Sequence, residues 1–76
     1  MTLPTPSMRG LVRAIDAAGS QSELARRLGT RQSTVSSWLL RSGRVPAEFV
    51  LKVEAATGIS RHDLRPDIYP IEGLRA

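Results

Sequence analysis

The 76-residue sequence predicts an all-α protein, a compact bundle of four to five helices. Three observations support this prediction. Apolar residues recur at spacings of three and four, polar residues that can cap a helix precede these stretches, and glycines follow them. No stretch shows the alternation of apolar and polar residues that is typical of a half-buried strand, so the pattern favours helices throughout.

The first helix is expected to follow Ser7, which is a suitable N-cap. Pro4 and Pro6 keep the chain before it extended. Gly19 ends the helix because glycine readily adopts positive φ angles. Its apolar face is predicted from residues at helical spacing, namely Met8, Leu11, Val12, Ile15 and Ala18.

The second helix is predicted over residues 21–28. Ser20 and Glu23 form a capping box at its start, and Gly29 ends it. The apolar face of this helix consists of Leu24, Ala25 and Leu28.

The third helix is expected to begin within one residue of Gln32, with either Thr30 or Arg31 as its N-cap. Its inner stripe consists of Val35, Trp38 and Leu39, and the spacing of Trp38 indicates a core residue rather than a base-stacking one. The small polar residues Ser33, Ser36 and Ser37 lie on the other side.

The fourth helix follows a loop at residues 41–44 and has Pro46 in its first turn, where the missing N–H does no harm. Gly58 ends it. Its buried face is predicted from Phe49, Val50, Val53 and Ala56. A short fifth helix begins at Ser60, and Pro66 ends it.

The chain beyond Pro66 is expected to be extended and to pack onto the domain. Its apolar residues either close the core or form a dimer contact; they are Ile68, Tyr69, Ile71 and Leu74. The predicted organisation is a tail at 1–6, a folded domain at 7–66 and a C-terminal segment for packing or dimerisation at 67–76.

The composition excludes several classes of function. Without cysteine there is no disulfide and no thiolate metal site, and a single histidine cannot build a zinc site, so no cofactor is expected. His62 beside Asp63 lacks a nucleophile, so the prediction is that the protein is not an enzyme. No apolar run spans a membrane and no signal peptide is recognisable, which predicts a cytoplasmic protein without a membrane partner.

The positive charge is concentrated in the central third of the chain. Residues 24–47 contain five arginines and no acidic residue, whereas residues 1–23 and 48–76 have net charges of 0 and −1. Arginine suits phosphate because its planar guanidinium donates two parallel hydrogen bonds. The five arginines are Arg26, Arg27, Arg31, Arg41 and Arg44.

The second and third helices have the layout of a helix-turn-helix, with Ala25 at the close crossing and Gly29 in the turn. Small polar residues on the outer face of the third helix suit a helix that enters the major groove of double-stranded DNA. Gln32 can bond an adenine edge, and Ser33, Ser36 and Ser37 can bond base edges. Arg31, Arg41 and Arg44 bracket this helix and are expected to contact phosphate, while Arg26 and Arg27 are open to phosphate contact or simple solvation.

Residues 20–44 resemble the helix-turn-helix of lambda Cro/CI-type phage repressors in the spacing of Gln21, Ala25, Gly29, Gln32, Val35 and Trp38. The chain is also similar to the YdaS-like prophage group of small Cro-type regulators, which are also described as proposed antitoxins. That similarity lies at residues 45–48, 54–58 and 61–67. It implies a lambda repressor-like domain that binds operator DNA without catalysis, usually as a homodimer, with a higher homo-oligomer on DNA as the alternative.

The resemblance also implies roles for individual residues. Gln32, Ser33, Ser36 and Ser37 match the base-reading face of the family. Ser20 and Gln21 match phosphate-contacting positions at the start of the second helix, and Arg44 matches a basic loop position that also meets phosphate. The sequence thus predicts a DNA-binding transcriptional regulator, a repressor of Cro/YdaS type. The alternative is an antitoxin that neutralises a toxin protein through its C-terminal segment.

Overall fold

The structure is a computed structural model that describes residues 5–70. Within that range the chain forms five α-helices and one short 3₁₀ helix, with no strand, which confirms the predicted all-α class. The helices are α1 (Pro6–Ala18), α2 (Gln21–Leu28), α3 (Gln32–Leu40), α4 (Val50–Thr57) and α5 (Arg61–Leu64), and the 3₁₀ helix is Ala47–Phe49.

Helix α1 begins two residues earlier than predicted. Thr5, rather than Ser7, is the N-cap, and its Oγ1 accepts a hydrogen bond of 3.1 Å from the N–H of Met8. Pro6 occupies the first turn, where its missing N–H has no intrahelical partner to lose. The prediction that Ser7 caps the helix is therefore wrong, and Ser7 is instead a buried residue of the first turn. Pro4 lies outside the described residues.

The buried face of α1 is rotated from the predicted one. Val12 is 42% exposed, and Met8 and Ile15 are only half-buried. The side that faces the core consists of Ser7, Gly10, Leu11, Ala14 and Ala18. The rotation follows from the packing of α5 across α1, which requires a small residue at the crossing and turns the glycine side of α1 inward.

Helix α2 has the predicted bounds, N-cap and C-terminal glycine, but the predicted capping box is half formed, because the Glu23 carboxylate binds Arg26 rather than the N–H of Ser20. The Ser20 hydroxyl accepts a hydrogen bond of 3.1 Å from the N–H of Glu23, and Gly29 ends the helix with φ of 71°. Leu24, Ala25 and Leu28 are buried as expected. The Glu23 carboxylate pairs with Arg26, and this hydrogen bond lowers the pKa of Glu23.

The third and fourth helices share one core. Val35 is fully buried and Trp38 is 7% exposed, so Trp38 is a core residue as predicted. Its ring lies 5.1 Å from that of Phe49, centroid to centroid, in a tilted arrangement. The core comprises residues from all five α-helices and from the loop before α4: Leu11, Ala14, Ala18, Leu24, Ala25, Leu28, Val35, Trp38, Val45, Val50, Val53 and Leu64.

Pro46 precedes the fourth helix instead of occupying its first turn. It is the N-cap of the 3₁₀ helix, with ψ of 146°, and α4 begins only at Val50. Within the predicted buried face, Val50 and Val53 are fully buried, while Phe49 and Ala56 are half-buried. Gly58 ends α4 with φ of 79°, as predicted.

The chain after α5 forms a turn rather than the extended segment that was predicted. The carbonyl oxygen of Arg65 accepts hydrogen bonds from the N–H groups of Ile68 and Tyr69, at 3.1 and 2.8 Å. Tyr69 is half-buried against the core and Ile68 is 42% exposed. Ile71 and Leu74 lie outside the described residues. Among residues 5–70, no helix has the length and apolarity needed to cross a membrane.

Candidate nucleic-acid interface

Helices α2 and α3 form the predicted helix-turn-helix. Ala25 is 1% exposed, which allows the close approach of the two helices. The turn is fixed by the left-handed conformation of Gly29 and by a hydrogen bond of 2.9 Å from the N–H of Thr30 to the carbonyl of Ala25. Val35 and Trp38 point into the core, so the opposite face of α3 is turned outward.

Arg31, not Thr30, is the N-cap of α3. The carbonyl oxygen of Arg31 accepts hydrogen bonds from the N–H groups of Thr34 and Val35, at 2.9 and 3.4 Å. No side chain caps the helix. The two alternatives left by the sequence are thereby resolved, and α3 begins at Gln32 with Arg31 exposed at its leading end.

The outer face of α3 is an open groove of about 420 Å³ that contains all four predicted base-reading residues. Gln32 and Ser33 are exposed, whereas Ser36 and Ser37 are half-buried. The full lining is Gln32, Ser33, Ser36, Ser37, Leu40 and Arg41. Sequence reasoning missed Leu40, although its position seven residues after Ser33 places it on the same helical face.

The three arginines predicted to contact phosphate lie at both ends of this face. Arg31 and Arg41 are exposed and form no ion pair within the described part of the chain. Arg44 is also exposed, and its Nη1 lies 3.8 Å from the Asp67 carboxylate. Because this contact is long and solvent-exposed, it holds Arg44 only weakly.

A buried arginine positions the loop that carries Arg44. Arg65 is 8% exposed and donates a hydrogen bond of 2.8 Å to the carbonyl of Val45, the residue after Arg44. It also binds Asp67 through two hydrogen bonds of 2.9 and 2.8 Å. These hydrogen bonds lower the pKa of Asp67 from 3.8 to about 2. No local pattern in the sequence indicates this role, because burial of Arg65 depends on the tertiary packing of α5.

The other two arginines of the basic segment have partners within the protein. Arg26 pairs with Glu23 on the surface of α2. Arg27 donates a hydrogen bond of 3.2 Å to the carbonyl of Ala56 and so connects α2 to α4. Each of these arginines therefore has a contact within the protein that neither of the two predicted roles, phosphate contact or solvation, included, and both side chains remain exposed.

Ser20 and Gln21 lie at the start of α2, as predicted. The Ser20 hydroxyl accepts from the N–H of Glu23, so its own hydrogen stays free to donate to another group. Gln21 is half-buried, and its Oε1 is buried without a hydrogen-bond partner in the described part of the chain.

His62 and Asp63 have separate partners and do not form an acid–base pair. The Nδ1 of His62 lies 2.8 Å from the carbonyl oxygen of Tyr69, which can only accept, so Nδ1 carries the hydrogen. The Asp63 carboxylate lies 3.5 Å from Arg13 on α1. Among residues 5–70, no group of three or more histidine or acidic side chains is placed to hold a metal ion.

Comparison with known proteins identifies the family. The model of the family described as bacterial toxin YdaS matches residues 11–72, so the chain belongs to that family. The chain is also similar to the Cro protein from prophage element Xfaso 1 in Xylella fastidiosa strain Ann-1, at 42% sequence identity and a TM-score of 0.75. That match covers 82% of this chain and 97% of the Cro chain. No curated protein matches the chain.

These matches confirm the resemblance to Cro-type and YdaS-like proteins and the helix-turn-helix fold. The family match begins at Leu11 and therefore includes all of α2 and α3.

Proposed function

We propose that this member of the YdaS family is a DNA-binding regulator that inserts α3 into the major groove of an operator. The observation that carries the proposal is the groove on α3, in which Gln32, Ser33, Ser36 and Ser37 share one outward face. A major groove is about wide enough for one α-helix, and short polar side chains let the helix approach base edges. The similarity to a Cro protein supports the same function.

In this proposal the arginines fix the position of the helix and the polar side chains read the sequence. Arg31 and Arg41, exposed and without ion pairs in the described residues, contact phosphates at the two ends of α3. Arg44 contacts a phosphate from the loop after α3. The short side chain of Ser20 and the amide of Gln21 contact phosphate at the start of α2. Gln32 bonds the N6 and N7 atoms of an adenine.

We further propose that the protein acts as a repressor and binds as a homodimer. A helix-turn-helix dimer places its two reading helices about one turn of DNA apart, so its operator is palindromic. A protein of this kind represses by occupying the promoter. The operator can be identified by selecting duplexes from a random pool with the purified full-length chain and sequencing them.

The test compares two alanine variants on the selected operator and on a scrambled duplex, at several salt concentrations. Gln32→Ala should weaken operator binding by about 1–3 kcal/mol and leave binding to the scrambled duplex almost unchanged. Arg44→Ala should weaken both about equally and lower the slope of log affinity against log salt by about one.

Arg13→Ala is the matched control for Arg44→Ala. It removes the same charge from the surface of α1, where Arg13 contacts α5 rather than the α3 groove. The slope of log affinity against log salt for this variant should stay close to that of the parent. The proposed interface would be refuted if the affinity for DNA did not change between low and physiological salt. It would also be refuted if Arg44→Ala lost the preference for the operator over the scrambled duplex while Gln32→Ala kept it.

The family is described as a bacterial toxin, which raises action on a partner protein as a second candidate function. The description does not mention an antitoxin, so the antitoxin alternative stays a prediction from the sequence. An antitoxin would bind a partner protein through residues 67–76, whereas a repressor requires only DNA. A pull-down with the full chain and with a chain ending at Pro70 tests whether residues 71–76 of this segment hold a partner, and the truncation keeps Asp67 and its bonds to Arg65. A protein partner captured only by the full chain would support the antitoxin.

A further inference from the structure

One large apolar side chain lines the polar groove at the C-terminal end of α3. Leu40 is 83% exposed, more than the other exposed large hydrophobic residues in the described part of the chain. The fold therefore gains little hydrophobic stabilisation from this side chain. Its apolar surface is available to a molecule that enters the groove.

The position of Leu40 on the helix connects it to the reading residues. It follows Ser33, Ser36 and Ser37 by seven, four and three residues, which are the spacings of one helical face. It also lines the same open groove of about 420 Å³ as these serines. Any molecule that contacts the serines from outside therefore approaches Leu40 as well.

Resting on the proposed DNA binding, we infer that Leu40 reads the 5-methyl group of a thymine in the operator. The thymine methyl is the apolar group that base pairs display in the major groove, and apolar side chains recognise it by contact. Gln32 lies eight residues away, about 12 Å along the helix axis, so Leu40 contacts a different base pair. Arg41, the next residue, holds the adjacent phosphate and keeps Leu40 against the groove.

The surroundings of Leu40 favour DNA over a protein partner. Three serines and Arg41 surround it in the groove, so its apolar surface does not continue into a larger patch. A stable protein interface needs about 1,000 Å² of buried surface, usually around an apolar centre. A lone leucine within a polar and basic face matches the mixed chemistry of the major groove better.

The test replaces thymines of the selected operator one at a time with deoxyuridine, which lacks the methyl group but keeps the same base pair. For the parent, one position in each half-site should lose about fourfold in affinity, which corresponds to the ~0.8 kcal/mol for burying one methyl group. Leu40→Ala should bind the thymine operator more weakly than the parent. The affinity of this variant should not fall further when deoxyuridine replaces the thymine at that position.

Leu51→Ala is the matched control, because Leu51 is a half-exposed leucine of α4 outside the groove. It should keep the full dependence on the thymine methyl. Both variants should melt like the parent, which excludes unfolding as the cause. The inference about Leu40, but not the proposed function, would be overturned if the parent tolerated deoxyuridine at every position. It would likewise be overturned if Leu40→Ala kept the dependence of its affinity on the thymine methyl. Failure to select any operator would overturn the proposed function and this inference with it.

Discussion

The substitution Gly10→Ala tests the close approach of α1 and α5. A Cβ atom on Gly10 would lie 2.8 Å from the carbonyl carbon of Asp63 and 2.9 Å from the Cα of Leu64, and closer still to the Asp63 oxygen. Ordinary van der Waals contacts of a Cβ are 3.4–4 Å. All three atoms belong to the backbone of α5, so no side-chain rotation relieves the clash, and α1 and α5 must move apart.

Two opposing effects determine the magnitude. Overpacking a core costs about 1–3 kcal/mol, and backbone contacts at these distances place Gly10→Ala in the upper half of that range. Alanine gains about 1 kcal/mol over glycine through helix propensity. The net loss should be about 1–2 kcal/mol, which lowers the melting temperature of a domain this size by roughly 4–16 °C.

Thermal and urea unfolding followed by circular dichroism measure this loss. Ala17→Gly, at an exposed position of the same helix, is the control that reports the propensity effect without a packing change. It should cost about 0.5–1 kcal/mol. If Gly10→Ala were as stable as the parent or more stable, the two helices would lie farther apart in solution than the structure shows.

Three further predictions concern the core, the acid response and a helix cap. Trp38→Ala should cost about 3–5 kcal/mol in urea unfolding, because Trp38 is 7% exposed and packs on Phe49; a change below 1 kcal/mol would contradict its core role. The pKa of Asp67 is lowered to about 2, so its ion pair stabilises the fold above about pH 4 and this contribution disappears as the pH falls toward 2. The stability difference between the parent and Asp67→Asn should therefore shrink over that interval, and a difference that grows on acidification would refute the assignment. Ser20→Ala should cost about 1 kcal/mol, and Ser22→Ala on the same helix much less; equal losses would show that the cap bond does not contribute.

The helix starts and ends that sequence reasoning located correctly depend on local signals. Ser20, Gly29, Gly58 and Ser60 all act as predicted, since each forms a cap within a few residues of chain. The start of α1 was misplaced because two hydroxyl residues, Thr5 and Ser7, flank a proline, and both fit an N-cap by composition. Only the position of Pro6 in the first turn distinguishes them.

The features that the sequence did not reveal depend on contacts between distant parts of the chain. Gly10 is 53 residues from Asp63, and nothing in the local pattern of α1 indicates that α5 crosses there. Arg65 looks like a surface residue by type, yet the fold buries it and uses it to hold the carbonyl of Val45. A helical spacing fixes which residues share a face, but only tertiary packing decides which face is turned inward.

The outward face of α3 was predictable because one buried pair determines it. Once Val35 and Trp38 are placed in the core, the period of the helix turns Ser33, Ser36 and Ser37 outward. The same argument places Leu40 on this face, although as an apolar residue it was not predicted there with the polar side chains. The structure adds contacts within the protein for Arg26 and Arg27, whose role the sequence left open, and shows Arg31 and Arg41 exposed without an ion pair among the described residues. Charge composition alone could not reveal these differences, because it counts all five arginines equally.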